Sequence, residues 1–346
     1  MSLAFSEIDD AVLLTQENLI KRGAFLDMQT DLQDFVACRE IWKGRKKKFE
    51  GGNDWEFQAQ TDHNHSARAV GLYETDGSAM ADTMIEGKVS PRHVNAHYIY
   101  DQHEKSFQRG GKAIVDLVQT RYTAMMISFY TLLEEFLWGK PATSADKKTP
   151  YGLQYWVTKT GTGTEGFDGR DPTGFADGKA GISFGDYPRW ANWTANYVAI
   201  TKEDLIRKMR KAHRQTQFRS PVSHAQPELA AMKNGIYTND AVVGVMEEIL
   251  EDQNMNLGND LDSKGGKAVF KGTPVQFAPY LDLDTDNPVY MLDWKWLAIG
   301  VLAGWENNLS KPYMVPNKHL VRRVDLDASL QMICTNLRKQ SVICVA

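Results

Sequence analysis

The chain has 346 residues, 42% hydrophobic and 24% charged, which describes a soluble globular protein long enough for two domains and excludes disordered and collagen-like chains. Forty basic against forty-four acidic side chains leave a formal net charge of -4, too balanced for a protein dedicated to gripping nucleic acid.

Three cysteines, Cys38, Cys334 and Cys344, are an odd count and too few to staple a chain this size, so a reducing compartment and no structural disulfides are expected. The N-terminal MSLAFSEIDD is acidic and lacks the basic and apolar regions of a secretory signal. The most apolar long segment, Gly111 to Trp138, carries Lys112, Asp116, Arg121, Glu134 and Glu135, costly at a bilayer centre, so no membrane span is expected.

Residues 1 to 53 read as an arm. Its basic run KGRKKK, Lys43 to Lys48, suits a solvated face or contact with an acidic neighbour or nucleic acid. From Trp55 to Tyr100 the apolar period switches to two, with Trp55, Phe57 and Ala59 on one arm and Val94, Ala96, Tyr98 and Tyr100 on the other. Asp76-Gly77 between them is the pair that a type I′ turn prefers. Pairing Thr75 with Ser78 places Trp55 opposite Tyr98, Phe57 opposite Ala96 and Ala59 opposite Val94, so apolar positions meet. Arms of about 20 residues at roughly 3.3 Å each reach about 65 Å, against a radius of gyration of about 20 Å for a compact chain of this length. The hairpin is therefore expected to protrude and lie on a neighbouring subunit, since a free ribbon is marginal alone. A hairpin folded back on its own domain, or broken by bulges near Gly71 and Gly87, is the alternative.

Residues Gly111 to Trp138 form the clearest helix, with Ile114, Leu117, Val118, Met125, Phe129, Leu132, Leu133 and Phe136 at spacings of three and four; Gly139 and Pro141 stop it. At 1.5 Å per residue it runs about 40 Å, a structural spine. Eight glycines fall in the twenty-five residues from Gly161 to Gly185, a loop that covers or contacts something. YPRWANWTANYVAI reads as loop and strand. Thr201 and Asp204 resemble a capping box opening a helix with Leu205, Ile206 and Met209 on one side and Arg207, Lys208, Arg210, Lys211 and Arg214 on the other. Asn239 caps a further helix through Val242, Val243, Met246, Ile249 and Leu250. KAVFKGTPVQFAPYL, the acidic turn DLDTDN and PVYMLDW form a strand-rich stretch.

Motifs of chemistry are weak. GTGTEG at Gly161, Gly163 and Gly166 has a dinucleotide-binding spacing, but FDGRDPTG follows and no helix can start there to face a pyrophosphate. Gly178-Lys179 lacks the Walker glycine, and Ala180 replaces its hydroxyl. His63 and His65 alternate on one arm and His93 and His97 on the other, yet His93 falls opposite Gln60 and His97 opposite Glu56, so four zinc ligands do not converge. Asp282, Asp284 and Asp286 superficially match a calcium loop, but Asn287 stands where its glycine should be and Pro288 follows. No GxSxG, HExxH or paired CxxC occurs. No enzyme, cofactor or metal site is expected.

The order of elements, from arm through long hairpin, spine helix, glycine-rich loop and helix-and-strand unit to the C-terminal return, resembles the major capsid proteins of tailed double-stranded-DNA bacteriophages, the Hong Kong 97 fold. The likeness is strongest in GGKAVFKGTPVQFAPYLDLDTDNPVYMLDWKWL and in NKHLVRRVDLDASLQMICTNLRKQSVI. It implies an α+β fold: an N-terminal arm over 1–53, an extended hairpin loop over 54–100, and a peripheral domain over 101–223 holding the spine helix 111–138. An axial domain over 224–305 and a C-terminal return over 306–346 to the peripheral domain complete it. The expected function is a coat protein that self-assembles, as pentamers and hexamers, into an icosahedral shell around DNA in the host cytoplasm. Trp55, Phe57, Tyr98 and Tyr100 would anchor the hairpin on a neighbouring subunit. Asp282, Asp284 and Asp286 would crowd near a capsomer axis and could hold a cation. Arg207, Lys208, Arg210, Lys211 and Arg214 would form a basic contact face towards an acidic neighbour or packaged DNA. Some members of that family carry about a hundred extra N-terminal residues that act as an internal scaffold and are cut away; a full-length product without them would use a separate scaffolding protein, besides portal and decoration partners, whereas a mature chain would have lost its own. An encapsulin-like protein nanocompartment is the alternative, and a metal-dependent hydrolase built on the histidine arms a second.

Overall fold

The computed structural model describes residues 34–42, 46–60, 62–64, 67–72, 83–102, 111–159, 165–217, 234–254 and 268–346. A π-helical turn at Cys38–Trp42 is followed by strands β1 (Lys46–Phe49), β2 (Trp55–Gln60), β3 (Met84–Val89) and β4 (Arg92–Asp101), then helix α1 (Gly111–Trp138). A helical turn at Leu153–Trp156 leads to β5 (Gly166–Gly169), β6 (Asn192–Tyr197) and α2 (Arg207–Thr216), then β7 (Asn234–Thr238) and α3 (Asp240–Asn254). The last third holds β8 (Val269–Phe270), β9 (Thr273–Phe277), β10 (Val289–Asp293), β11 (Leu297–Leu302), β12 (Asn308–Leu309), β13 (Tyr313–Met314), β14 (Val321–Cys334) and β15 (Ser341–Val345). This mixture is the expected α+β class. Of the expected arm, residues 1–33 and 43–45 lie outside the described residues.

The expected long hairpin is corrected. β2 pairs antiparallel with β3, placing Trp55 opposite Val89, Phe57 opposite Gly87 and Ala59 opposite Ile85. The register of Trp55 on Tyr98 does not form, and the Asp76-Gly77 turn lies outside the described residues. Pro91 is the physical reason: it has no N–H to donate and separates β3 from β4. Strand β4 then pairs over its whole length with β14, from Arg92 opposite Leu330 to Asp101 opposite Val321. Its apolar face meets Val324, Leu326 and Ala328, opposite Tyr98, Ala96 and Val94. The regular ribbon is six residues a side, about 20 Å rather than 65 Å.

α1 spans the range its periodicity predicts, and Val118, Tyr122, Met125, Phe129, Leu133, Leu137 and Trp138 are buried along it. It packs on β4. In the sheet beneath, β14 is the hub: β11 pairs with its C-terminal part, β12 and β13 with its N-terminal part, and β1 runs parallel to β11. Among the described residues, no helix is long and apolar enough to cross a membrane.

A seven-stranded sheet has the order β5-β6-β15-β10-β7-β9-β8. Its registers bring Ala195, Ile343, Val289, Ile236 and Val275 to one face, where Leu205, Met209 and Ala212 from the α2 region and Val242 and Met246 from α3 cover them. Val342, Tyr290, Leu292 and Tyr237 point the other way and join the main core with Trp138 and Trp294. This sheet draws β5, β6 and β15 from outside residues 224–305, while β11, inside that range, belongs to the β14 sheet. The C-terminal strand β15 thus sits between β6 and β10.

Candidate functional site

The segment expected to meet a neighbour is the β2-β3 ribbon with the described residues that follow it. Its base is fixed to the chain's own core. Trp55 stacks on Phe49 at 4.4 Å, and Phe57 lies 6.3 Å from Trp156 and 6.1 Å from Trp190. Trp55 is 2% and Phe57 8% exposed, so these two hold the ribbon to its own subunit. Tyr98 and Tyr100 do not belong to the ribbon at all: they lie on β4 and are buried in the main core. The expectation of four anchors reaching a neighbour is corrected for this reason. Farther out the character changes, for Val70 is 61% and Leu72 93% exposed.

The ribbon rests on the glycine-rich loop. Lys88 N–H donates to Ala180 O at 3.0 Å, and Arg189 meets Asp62 at 2.9 Å. The loop is stiffened by a tight turn in which Lys179 and Ile182 exchange backbone bonds. Gly178 has a φ of 76°, and a Cβ there would stand 2.1 Å from Ile182 O, so only glycine fits. Inside the loop Lys179 is wholly buried, its ammonium donating to Thr158 Oγ1, Gly169 O and Asn192 Oδ1, each at 2.9 Å. Burial pushes its amine down to about 7. A lysine in a Gly-Lys-Ala-Gly stretch carries no sequence signal of burial, and this residue was missed.

Glu134 was also missed as a site residue. It is 1% exposed and accepts from Ala37 N at 2.9 Å, Cys38 N at 2.8 Å and Trp138 Nε1 at 2.8 Å. One carboxylate thereby ties the first described turn to the spine helix. Its place at the boundary of an apolar stripe was the available signal. Cys38, Cys334 and Cys344 are buried thiols, and burial pushes Cys334 up to about 12.

The acidic triplet does not converge. Asp282 Oδ1 accepts from Asp240 N at 2.9 Å and so caps α3, while Asp284 and Asp286 both bind the Lys159 ammonium. Lysine fills the position where a cation was expected. Of the basic residues on α2, Lys208 is held by Asp204 and Asn196 O, and Lys211 by Glu165; Arg207, Arg210 and Arg214 are exposed. Lys46 and Lys48 meet Glu306 of their own chain. His93, on β4, bonds Ser329 at 2.7 Å, whereas His63, outside any strand, lies against Arg189, and His65 lies outside the described residues. Among the described residues no three His, Cys, Asp or Glu side chains gather as metal ligands do. Gly166 opens a strand and not a phosphate-facing helix.

No protein-family model and no curated protein sequence matches the chain. Solved structures do. The capsid asymmetric unit of cyanophage A-1(L) superposes with a TM-score of 0.63 at 15% identity, covering 92% of this chain and 94% of that one. The capsid of a native GTA particle gives 0.52 at 9% identity over 93% and 95%. The holo-SrpI encapsulin complex of Synechococcus elongatus PCC 7942 gives 0.50 at 10% identity over 94% of both chains. The fold that the sequence resembles, that of tailed-phage capsid subunits, is the fold this chain adopts, nearly end to end.

Proposed function

We propose that the chain is a major capsid protein, a structural subunit that self-assembles into the icosahedral shell of a tailed phage around double-stranded DNA. The observation that carries this reading is the likeness to the cyanophage A-1(L) capsid over 92% of this chain. The exposed apolar residues Val70 and Leu72, on a segment tethered by a buried ribbon base, support a role in contact between copies. Each contact need only be weak, because a closed shell multiplies it. A net charge of -4 suits a wall from which packaged DNA can leave. A scaffolding protein, portal and decoration partners and assembly in the host cytoplasm belong to the same proposal.

A protein nanocompartment is the second reading, favoured by the superposition on the SrpI encapsulin. Expression of the chain with its genomic neighbours, followed by microscopy and nuclease-protected nucleic acid measurement, separates the two: DNA-filled shells support the capsid and protein-filled shells the compartment. A chain lacking residues 62–83 keeps β2 and β3 and is expected to fold without forming shells; normal shells from it would overturn the role given to the ribbon.

A further inference from the structure

Helices α2 and α3 lie on the same face of the seven-stranded sheet and carry opposite charge outward. On α2, Met209, Ala212 and Thr216 are buried while Arg207, Arg210 and Arg214 are exposed. Spacings of three and four put the three guanidiniums in one stripe directed away from the sheet. Among the described residues none of them has a hydrogen-bond or ion-pair partner, although their neighbours Lys208 and Lys211 both do. On α3, Val242 and Met246 are buried while Asp240, Glu247 and Glu248 are exposed. The two stripes match in length: Arg207 to Arg214 and Asp240 to Glu247 each cover about 10.5 Å of helix.

Within one chain these stripes are not paired: among the described residues no ion pair joins Arg207, Arg210 or Arg214 to Asp240, Glu247 or Glu248. Both stripes also point away from the sheet and not towards each other. Phosphate is the poorer partner for the arginines, because the whole chain carries a formal net charge of -4. A second copy brings an acidic stripe of the same length to the basic one.

We propose that α2 of one copy docks on α3 of another, setting Arg207, Arg210 and Arg214 against Asp240, Glu247 and Glu248. A contact made from two different patches is head-to-tail and closes into a ring when the rotation per step allows. This rests on the shell-forming reading and names the helices that meet when copies join.

The test places Arg210→Cys and Glu247→Cys in one chain. The native cysteines are buried, and a bridge between the two new ones within one molecule would run as a monomer and not as a ladder. Mild oxidation is expected to give a ladder of covalent oligomers on a non-reducing gel, absent from either single variant. Normal particles without a ladder would overturn the helix pairing and leave the shell reading intact. Should the wild-type chain form no particles, the shell reading fails, while the ladder, read on the soluble chain, still decides the pairing. Separately, Arg207→Glu, Arg210→Glu and Arg214→Glu together are expected to lower particle yield about tenfold, with recovery when Glu247→Arg and Glu248→Arg are added. If yield holds and only the enclosed nucleic acid falls, the arginines meet DNA and the proposal is wrong.

Discussion

Phe57 and Gly87 face each other across the ribbon, and the ring of Phe57 occupies the space a side chain at 87 would need: a Cβ there would stand 2.6 Å from Phe57 Cζ. Phe57 is held in turn between Trp156 and Trp190, so it cannot swing aside without opening the core. Gly87→Ala is therefore expected to destabilise the chain by about 1–3 kcal/mol through overpacking and to loosen the ribbon base. Urea unfolding measures the first effect and protease cleavage between residues 60 and 84 the second; an unchanged midpoint would show that the ribbon yields freely.

Glu134 offers a sharper perturbation. Its Oε1 accepts from Ala37 N and Trp138 Nε1, and its Oε2 from Cys38 N. Glu134→Ala leaves three buried donors without an acceptor, each costing roughly 1–3 kcal/mol. Glu134→Gln keeps one oxygen and strands only one donor. The expected order of stability by urea unfolding is wild type, then Gln, then Ala, with faster proteolysis around residues 34–42 in the same order. Equal stability of all three would mean the carboxylate does not hold that turn.

These relationships mark the line between what the sequence made legible and what it did not. α1 is legible because a helix is a local object: its periodicity, Gly139 and Pro141 set its limits without reference to the rest of the chain. The caps are local too, and Thr201 Oγ1 does accept from Asp204 N, and Asn239 Oδ1 from Val242 N. Strand partners are not local. The alternation of Val94, Tyr98 and Tyr100 fits any strand with an apolar face, and β14, more than 220 residues onward, competes with the nearby arm and wins. Pro91 was the sequence signal against a continuous arm. The Asp282, Asp284 and Asp286 triplet failed similarly, because its neutralising Lys159 comes from another part of the chain.

That ammonium leads to a third prediction. Lys159→Met leaves Asp284 and Asp286 without their shared cation, and two nearby carboxylates then repel. Thermal unfolding of the variant is expected to shift downward in metal-free buffer and to recover when magnesium or calcium is added, with wild type indifferent to either ion. A wild-type midpoint that rises equally with the ion would mean the aspartates bind it alongside the lysine.

The buried Lys179 amine gives a pH dependence whose sign is fixed. Burial lowers it to about 7 in the folded chain from 10.5, so between those values the unfolded chain binds more protons than the folded one. Unfolding free energy therefore rises with pH across that window, by up to about 1.4 kcal/mol per unit, and falls as the pH drops towards 7. Lys179→Met removes this proton linkage but also leaves the buried Gly169 carbonyl without its donor. The variant is expected to be less stable than wild type at pH 9 and to show a shallower rise between pH 7.5 and pH 9. Lys339, lowered to about 8 by burial, contributes equally to both proteins and cancels in the comparison. Parallel stability profiles for the two would mean that Lys179 keeps its proton throughout, held by the three acceptors around it.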